Sequence, residues 1–232
     1  MFKVNNMAKK KKFKNLFADK ASIVIRMMLR NPGREWVVRD FSSTELLSIG
    51  MAQEVLQSME IKGYIERIKK GPKSFSVLTN PEKVINDWLK WYHFEKNEID
   101  SYYSPDENIL KKLKSALRGQ EYALTLHSGA NLITSFVRTT DIYLYIKPEN
   151  WEKDILSIRQ SLGLKELVRG GNIHFIDPFY RNSIFNEIQI IEDYPVVSNL
   201  QLYLDLYQFQ PRGREHAEYL KKILITKGEK FA

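Results

Sequence analysis

Two stretches of this sequence carry residue types that could do chemistry. The first is Leu126-His127-Ser128-Gly129, followed by Thr140-Asp141-Ile142-Tyr143-Leu144. Metal-assisted nucleotidyl transfer uses a glycine-serine turn after one strand and two carboxylates, two residues apart, on the next; the carboxylates hold Mg²⁺ against the phosphates. Here the order is Ser-Gly, and Tyr143 stands where the second carboxylate would be. One carboxylate cannot build a two-metal site, so no catalytic residue is assigned. His93, His127, His174 and His216 show no zinc spacing with any carboxylate, and no metal site or cofactor is expected. His174, within Asn172–Ile176, reads as a strand residue. No P-loop, G-x-G-x-x-G or G-x-S-x-G pattern occurs.

The second stretch suits a polyanion. Gln53 and Gln57 share one face of a helical pattern, and a glutamine amide can bond bidentately to adenine. Met51 could meet a thymine methyl, and Ser48 precedes the helix as an N-cap. Downstream, Lys69-Lys70-Gly71-Pro72-Lys73 is a turn with three positive charges, placed to neutralise phosphates with help from Arg39 and from the run Lys9 to Lys12. The helix itself lacks Lys and Arg on that face. Affinity would then come from the turn and the tail, and discrimination from the amides.

Charge distribution supports this division. Residues 1–80 hold 16 Lys/Arg against 7 Asp/Glu, a net of +9, whereas residues 81–232 hold 20 against 21. A polyanion-binding module joined to a neutral domain segregates charge in this way. Cysteine is absent, which excludes disulfides, thiolate metal sites and Cys catalysis and fits a reducing cytoplasm. No apolar run approaches the roughly 18 residues that cross a bilayer, and the basic N-terminus has no apolar segment behind it, so no membrane role is expected.

These residues need elements to position them. Residues 1–18 read as a basic, flexible tail. Residues 19–80 read as a winged helix-turn-helix: a helix capped by Asp19, a stop at Asn31-Pro32-Gly33, a short strand Trp36–Val38, a helix from Arg39, a second helix Ile49–Lys62 ended by Gly63, and a hairpin with a cationic tip. Residues 81–98 hold a connecting helix crowded with Val84, Ile85, Trp88, Leu89, Trp91, Tyr92 and Phe94; it should pack inward, and it is also the best candidate for a dimer contact. Residues 99–232 alternate strands and helices. Strands are expected at Ile99–Ser104, Tyr122–Leu126, Ile142–Ile146, Lys165–Val168, Ile173–Ile176 and Glu187–Ile191. Helices are expected at Asp106–Leu117, after a turn His127–Ala130, from Pro148 to Leu162, and at Ser198–Phe209 and Arg212–Ile225. The fold class is α+β: a winged helix followed by a mixed α/β domain, for which a degenerate nucleotidyltransferase-like fold is the candidate, closing in a helical hairpin. Asp205 is expected to pair with Arg212 and Arg214 across that hairpin.

The hairpin is also the most distinctive segment. Ser198-x-x-Gln201-x-Tyr203-Leu204-Asp205-Leu206, then Arg212-Gly213-Arg214-Glu215-x-Ala217-Glu218-x-Leu220, resembles the C-terminal signature of AbiEi-type antitoxins, the regulator components of type IV abortive-infection toxin–antitoxin systems. The passage into Leu78-Thr79-Asn80-Pro81, with Trp88 beyond it, is similar to that family too. The resemblance implies a DNA-binding N-terminal domain that represses its own operon at inverted repeats in double-stranded DNA. It also implies a C-terminal domain that counters a nucleotidyltransferase-like toxin without direct contact. The hairpin residues would then be structural or partner-binding, and the protein a monomer or weak homodimer. Two alternatives stand beside it: a stand-alone regulator with no toxin partner, and a nucleotidyltransferase carrying a nucleic-acid-binding head. A winged helix that binds protein is a third.

Overall fold

A computed structural model describes residues 15–43, 46–147, 149–229 and 231. The lysine run Lys9–Lys12 lies outside the described residues. The chain is a mixed α+β protein of two compact units, Met1–Asn86 and Asp87–Ala232.

In the first unit, α1 (Asp19–Arg30) buries Ala21, Ile23, Val24, Ile25, Met28 and Leu29. Ala18, not Asp19, occupies the N-cap position; Asp19 sits in the first turn, where its charge favours the helix dipole. Leu16 and Phe17, which the sequence reading leaves in the tail, are buried, so the folded unit begins before α1. The expected strand at Trp36–Val38 reduces to one bridge between Trp36 and Ser76. It stops there because Val38–Ser43 is already a 3₁₀ helix, fixed by the Asp40 carboxylate, which accepts the Val37 N–H at 2.9 Å and pairs with Arg34 at 3.2 Å. That 3₁₀ turn replaces the expected α-helix from Arg39; serines favour such turns over helix interiors.

α2 (Ile49–Lys62) is capped by Ser48, whose hydroxyl accepts the Met51 N–H at 3.1 Å. It ends at Gly63, with φ 69°, a conformation that suits glycine. Ala52, Val55, Leu56 and Met59 form its buried stripe. Its terminal carbonyls are satisfied from outside the helix: Asn80 Nδ2 donates to Gly63 O at 2.8 Å and Lys83 Nζ to Lys62 O at 2.7 Å. β1 (Ile65–Ile68) and β2 (Phe75–Leu78) pair antiparallel, Ile65 opposite Leu78. The tip between them is a 3₁₀ turn, Gly71–Lys73, and Ser74 Oγ braces it by accepting the Lys70 N–H and donating to Gly71 O. The unit division falls within α3 (Pro81–Trp91). Val84, Ile85, Trp88, Leu89, Tyr92 and Phe94 are buried, the inward packing expected of this stretch, and Trp91 is half-buried.

The second unit is built on a six-stranded mixed sheet of order β3-β6-β5-β4-β8-β7. In chain order its elements are β3 (Glu98–Tyr102), α4 (Ile109–Ala116), β4 (Glu121–Leu124), α5 (Leu126–Thr134), β5 (Ile142–Lys147), α6 (Trp151–Leu162), β6 (Ile173–Asp177), β7 (Gln189–Ile191), β8 (Tyr194–Val196), α7 (Asn199–Gln208) and α8 (Gly213–Thr226). β5 and β6 run parallel, as the crossover through α6 requires, with Tyr143 beside His174. The other neighbours are antiparallel except β4 and β8.

Three expectations are corrected. The stretch His127–Ala130 is not a turn but the start of α5; Leu126, at φ 50°, makes the bend by itself. The small residues let α5 press on the sheet, since a Cβ on Gly129 would lie 3.0 Å from Leu124 O. The strand expected at Lys165–Val168 is a single bridge, Lys165 to Tyr103. The strand β8 was missed because Pro195 argues against one and the β7–β8 turn is Glu192-Asp193, both at positive φ, without the usual Asn-Gly signal. Among the described residues no helix is long and apolar enough to cross a membrane.

Candidate functional site

In the first unit the polar face of α2 looks onto the hairpin. Between them lies a groove of about 340 Å³ lined by Trp36, Gln53, Gln57, Glu60, Arg67, Lys69 and Ser76 among others. Gln53 and Gln57, one turn apart, both reach it, and neither amide has a hydrogen-bond partner among the described residues. Met51 is half-buried at the first turn of α2. The Ser48 hydroxyl already accepts its capping bond, which leaves its proton free to donate.

The cations divide unevenly. Lys70 and Lys73 are exposed at the hairpin tip, and Arg39 is exposed on the 3₁₀ turn. Lys69 is held by Glu60 at 3.3 Å. Arg67 also faces Glu60, at 3.8 Å, with its side chain only 18% exposed. Sequence reasoning passed over Arg67 because it sits inside an alternating strand pattern; only the register, which sets Arg67 opposite Ser76, turns it into the groove. Arg34 covers the Trp36 ring at 4.1 Å, and Phe41 stacks on that ring at 5.1 Å.

The second unit encloses its polar residues instead. Asp205, on α7, is fully buried. It accepts hydrogen bonds from Tyr92 Oη (2.5 Å), Thr125 Oγ1 (2.5 Å), Gln201 Nε2 (2.7 Å) and Tyr145 Oη (3.1 Å). Burial raises its pKa from 3.8 to about 6, against the pull of those four donors. Burial and the Asp205 charge push Tyr92 and Tyr145 well above the usual tyrosine value. The expected ion pair of Asp205 with Arg212 and Arg214 is therefore absent. The side chain points into the core, while Arg212 turns outward to Glu215 at 3.2 Å and Arg214 covers the Tyr207 ring at 5.0 Å. Ser198 caps α7 by accepting the Gln201 N–H at 3.3 Å, and Tyr203 Oη donates to Glu218 at 2.8 Å across the hairpin. Gly213 allows the two helices to meet: a Cβ there would lie 2.3 Å from Leu206 O.

A second polar cluster joins α5 to α8. His127 Nδ1 faces His216 Nδ1 at 2.8 Å; the outer nitrogens face Pro211 O at 3.2 Å and Thr134 Oγ1 at 2.7 Å. Burial lowers both pKa values, that of His216 to about 4 with the neighbouring His127 and Arg212 charges adding to it.

The residues weighed for nucleotidyl transfer are also brought together, but in other roles. Ser128 Oγ accepts the Tyr143 N–H at 2.9 Å and directs its own proton to the Thr125 and Tyr143 carbonyls. Tyr143 stacks on His174 at 4.1 Å, and the Ser101 hydroxyl meets His174 Nδ1 at 2.8 Å. Burial and the Asp141 charge push Tyr143 up to about 12. Among the described residues no group of three or more His, Asp or Glu could hold a metal ion.

The polar groups thus lie on the surface in the first unit and are enclosed in the second. A family model described as "Transcriptional regulator, AbiEi antitoxin, Type IV TA system" matches residues 77–226, and the chain belongs to that family of transcriptional regulators and antitoxins of type IV toxin–antitoxin systems. The match takes in the whole 198–220 segment and leaves nearly all of the Met1–Asn86 unit outside it. No curated protein and no solved structure matches the chain.

Proposed function

We propose that the first unit is a winged helix that binds double-stranded DNA, and that the protein represses its own operon at inverted repeats and counters a nucleotidyltransferase-like toxin without touching it. The observation that carries the DNA reading is the order helix, 3₁₀ turn, helix, two-stranded hairpin with Lys70 and Lys73 exposed at its tip, in the part of the chain that holds the positive charge. In such a module α2 enters the major groove, presenting Met51, Gln53 and Gln57 to base edges, while Ser48, Arg39, Lys69, Lys70 and Lys73 hold the backbone. A two-fold operator then takes two copies of the chain, one per half-site.

The antitoxin arm is assigned to the second unit. The reading takes strand β4, helix α5 and strand β5 as the order of a nucleotidyltransferase core, with Tyr143 where a second metal-binding carboxylate beside Asp141 would stand. We read it as a degenerate scaffold of that kind, with Ser198, Gln201, Tyr203, Asp205, Gly213 and Glu215 maintaining its shape and Arg212 and Arg214 on its surface.

The test is titration of the purified protein with duplex from upstream of its own gene at several salt concentrations. Replacing Lys69, Lys70 and Lys73 with alanine should weaken binding to every sequence and lower the salt slope by roughly 2–3, about 0.9 per lost phosphate contact. Unchanged affinity and slope would remove the wing from the interface. Gln53→Ala should change discrimination at one base pair by about 1–3 kcal/mol; an equal loss on all duplexes argues against base readout.

A further inference from the structure

We infer that the groove between α2 and the hairpin is a seat for one DNA phosphodiester, with Arg67 as its ligand and Glu60 as its gate. The inference rests on the DNA-binding reading and adds to it two residues that the wing lysines do not include.

The starting point is how poorly Arg67 is satisfied. A guanidinium carries five N–H donors. The Arg67 side chain is only 18% exposed, yet among the described residues its one ion-pair partner is Glu60 at 3.8 Å, beyond hydrogen-bond distance, and it has no hydrogen bond. A cation so placed is held by attraction without being coordinated. The same carboxylate holds Lys69 at 3.3 Å, so one negative charge restrains two positive ones. Gln57 lines the same groove with an unpartnered amide. The groove, about 340 Å³, therefore has a planar fork and an ammonium with donors to spare, and Gln57 at its edge stays available to a base. A phosphodiester offers two anionic oxygens in the geometry a guanidinium binds bidentately.

Glu60 works against that ligand. In the free protein it keeps Arg67 and Lys69 against α2; on binding, the phosphate takes both cations and leaves Glu60 as an unfavourable charge beside it. Random polyanions are thereby penalised, and a duplex must supply enough further contacts, at the wing tip and along α2, to displace the carboxylate.

The experiment measures duplex affinity against salt for the full chain carrying Glu60→Gln, Arg67→Gln or both. Glu60→Gln should tighten binding to all duplexes about 5- to 10-fold at 50 mM salt and steepen the salt slope. Arg67→Gln should weaken binding at least 10-fold and lower the slope by about 1. In the double variant the gain from Glu60→Gln should shrink by more than half, because much of it acts through Arg67. If Glu60→Gln does not fold, as judged by its melting curve, Arg67→Lys carries the test: charge is kept and the fork lost, so affinity should fall about 3-fold or more at unchanged slope. A wild type that binds DNA while Glu60→Gln binds no tighter, or while Arg67 variants bind equally well, overturns the gated seat alone. Failure of the folded wild type and of Glu60→Gln to bind any duplex at low salt overturns the DNA reading itself.

Discussion

At the scale of single residues, two buried titratable groups pull stability in opposite directions. Asp205 is raised to about 6, so between pH 4 and 6 the folded state holds the proton more tightly than the unfolded one. Its contribution is favourable below that window and is lost as pH rises, by about 3 kcal/mol at 1.36 kcal/mol per unit. His216 is lowered to about 4, so the unfolded state binds the proton more readily between pH 4 and 6.5. Its contribution is present above that window and lost as pH falls, by a similar amount, and His127 adds to the same side. The wild type should therefore show a shallow pH dependence from 4 to 6. Asp205→Asn should expose a stability that rises clearly with pH over that range, and His216→Gln one that falls. Urea denaturation at half-unit pH steps reads both slopes; parallel curves for all three proteins would count against the assignment. None of this was visible in the sequence, where Asp205 and Arg212 lie seven positions apart near a helix break and invite an ion pair. The reason is that α7 is buried on several sides, so its one acidic residue meets Tyr92, Thr125 and Tyr145 from distant parts of the chain.

At the scale of elements, the sequence reading recovers most helices and strands, because their apolar residues recur with period 3.6 or 2. It fails where a long-range contact outranks local preference. Small residues at 127–130 suggest a loop, yet they are small so that α5 can approach β4. The strand β8 contains a proline and follows a turn of two acidic residues. Arg67 looks like one more polar residue in an alternating strand until the β1–β2 register places it in the groove. The same closeness of approach makes a prediction about the α7–α8 hairpin. Gly213→Ala would bring a methyl group to 2.3 Å from Leu206 O and 3.0 Å from Phe209 Cβ, so one helix must shift. The expected cost is about 2–4 kcal/mol, towards the upper end for overpacking, measured as a lower melting temperature. A change below about 0.5 kcal/mol would mean the hairpin adapts without strain.

At the scale of the whole molecule, the positive charge segregated into residues 1–80, legible from composition alone, falls within the first of the two compact units. If the two units carry separate tasks, they can be lost separately. Alanine at Lys69, Lys70 and Lys73 should abolish repression of a reporter driven by the upstream region while cells carrying the toxin still grow. Loss of both together would tie toxin control to DNA binding. The family match begins at residue 77, so it leaves outside it the face of α2 proposed to read bases.

The stack of Tyr143 on His174 bears on how this scaffold can change over generations. The two side chains sit side by side on parallel strands, and Ser128 is bonded to the backbone of Tyr143. A lone Tyr143→Asp change would set a carboxylate against an imidazole already engaged by Ser101 and remove the ring that His174 and Phe209 pack on. A second carboxylate two residues from Asp141 would therefore come only with the loss of that aromatic packing. The aromatic pair thus fixes the centre of this unit: a single substitution at Tyr143 loses its contacts with both His174 and Phe209.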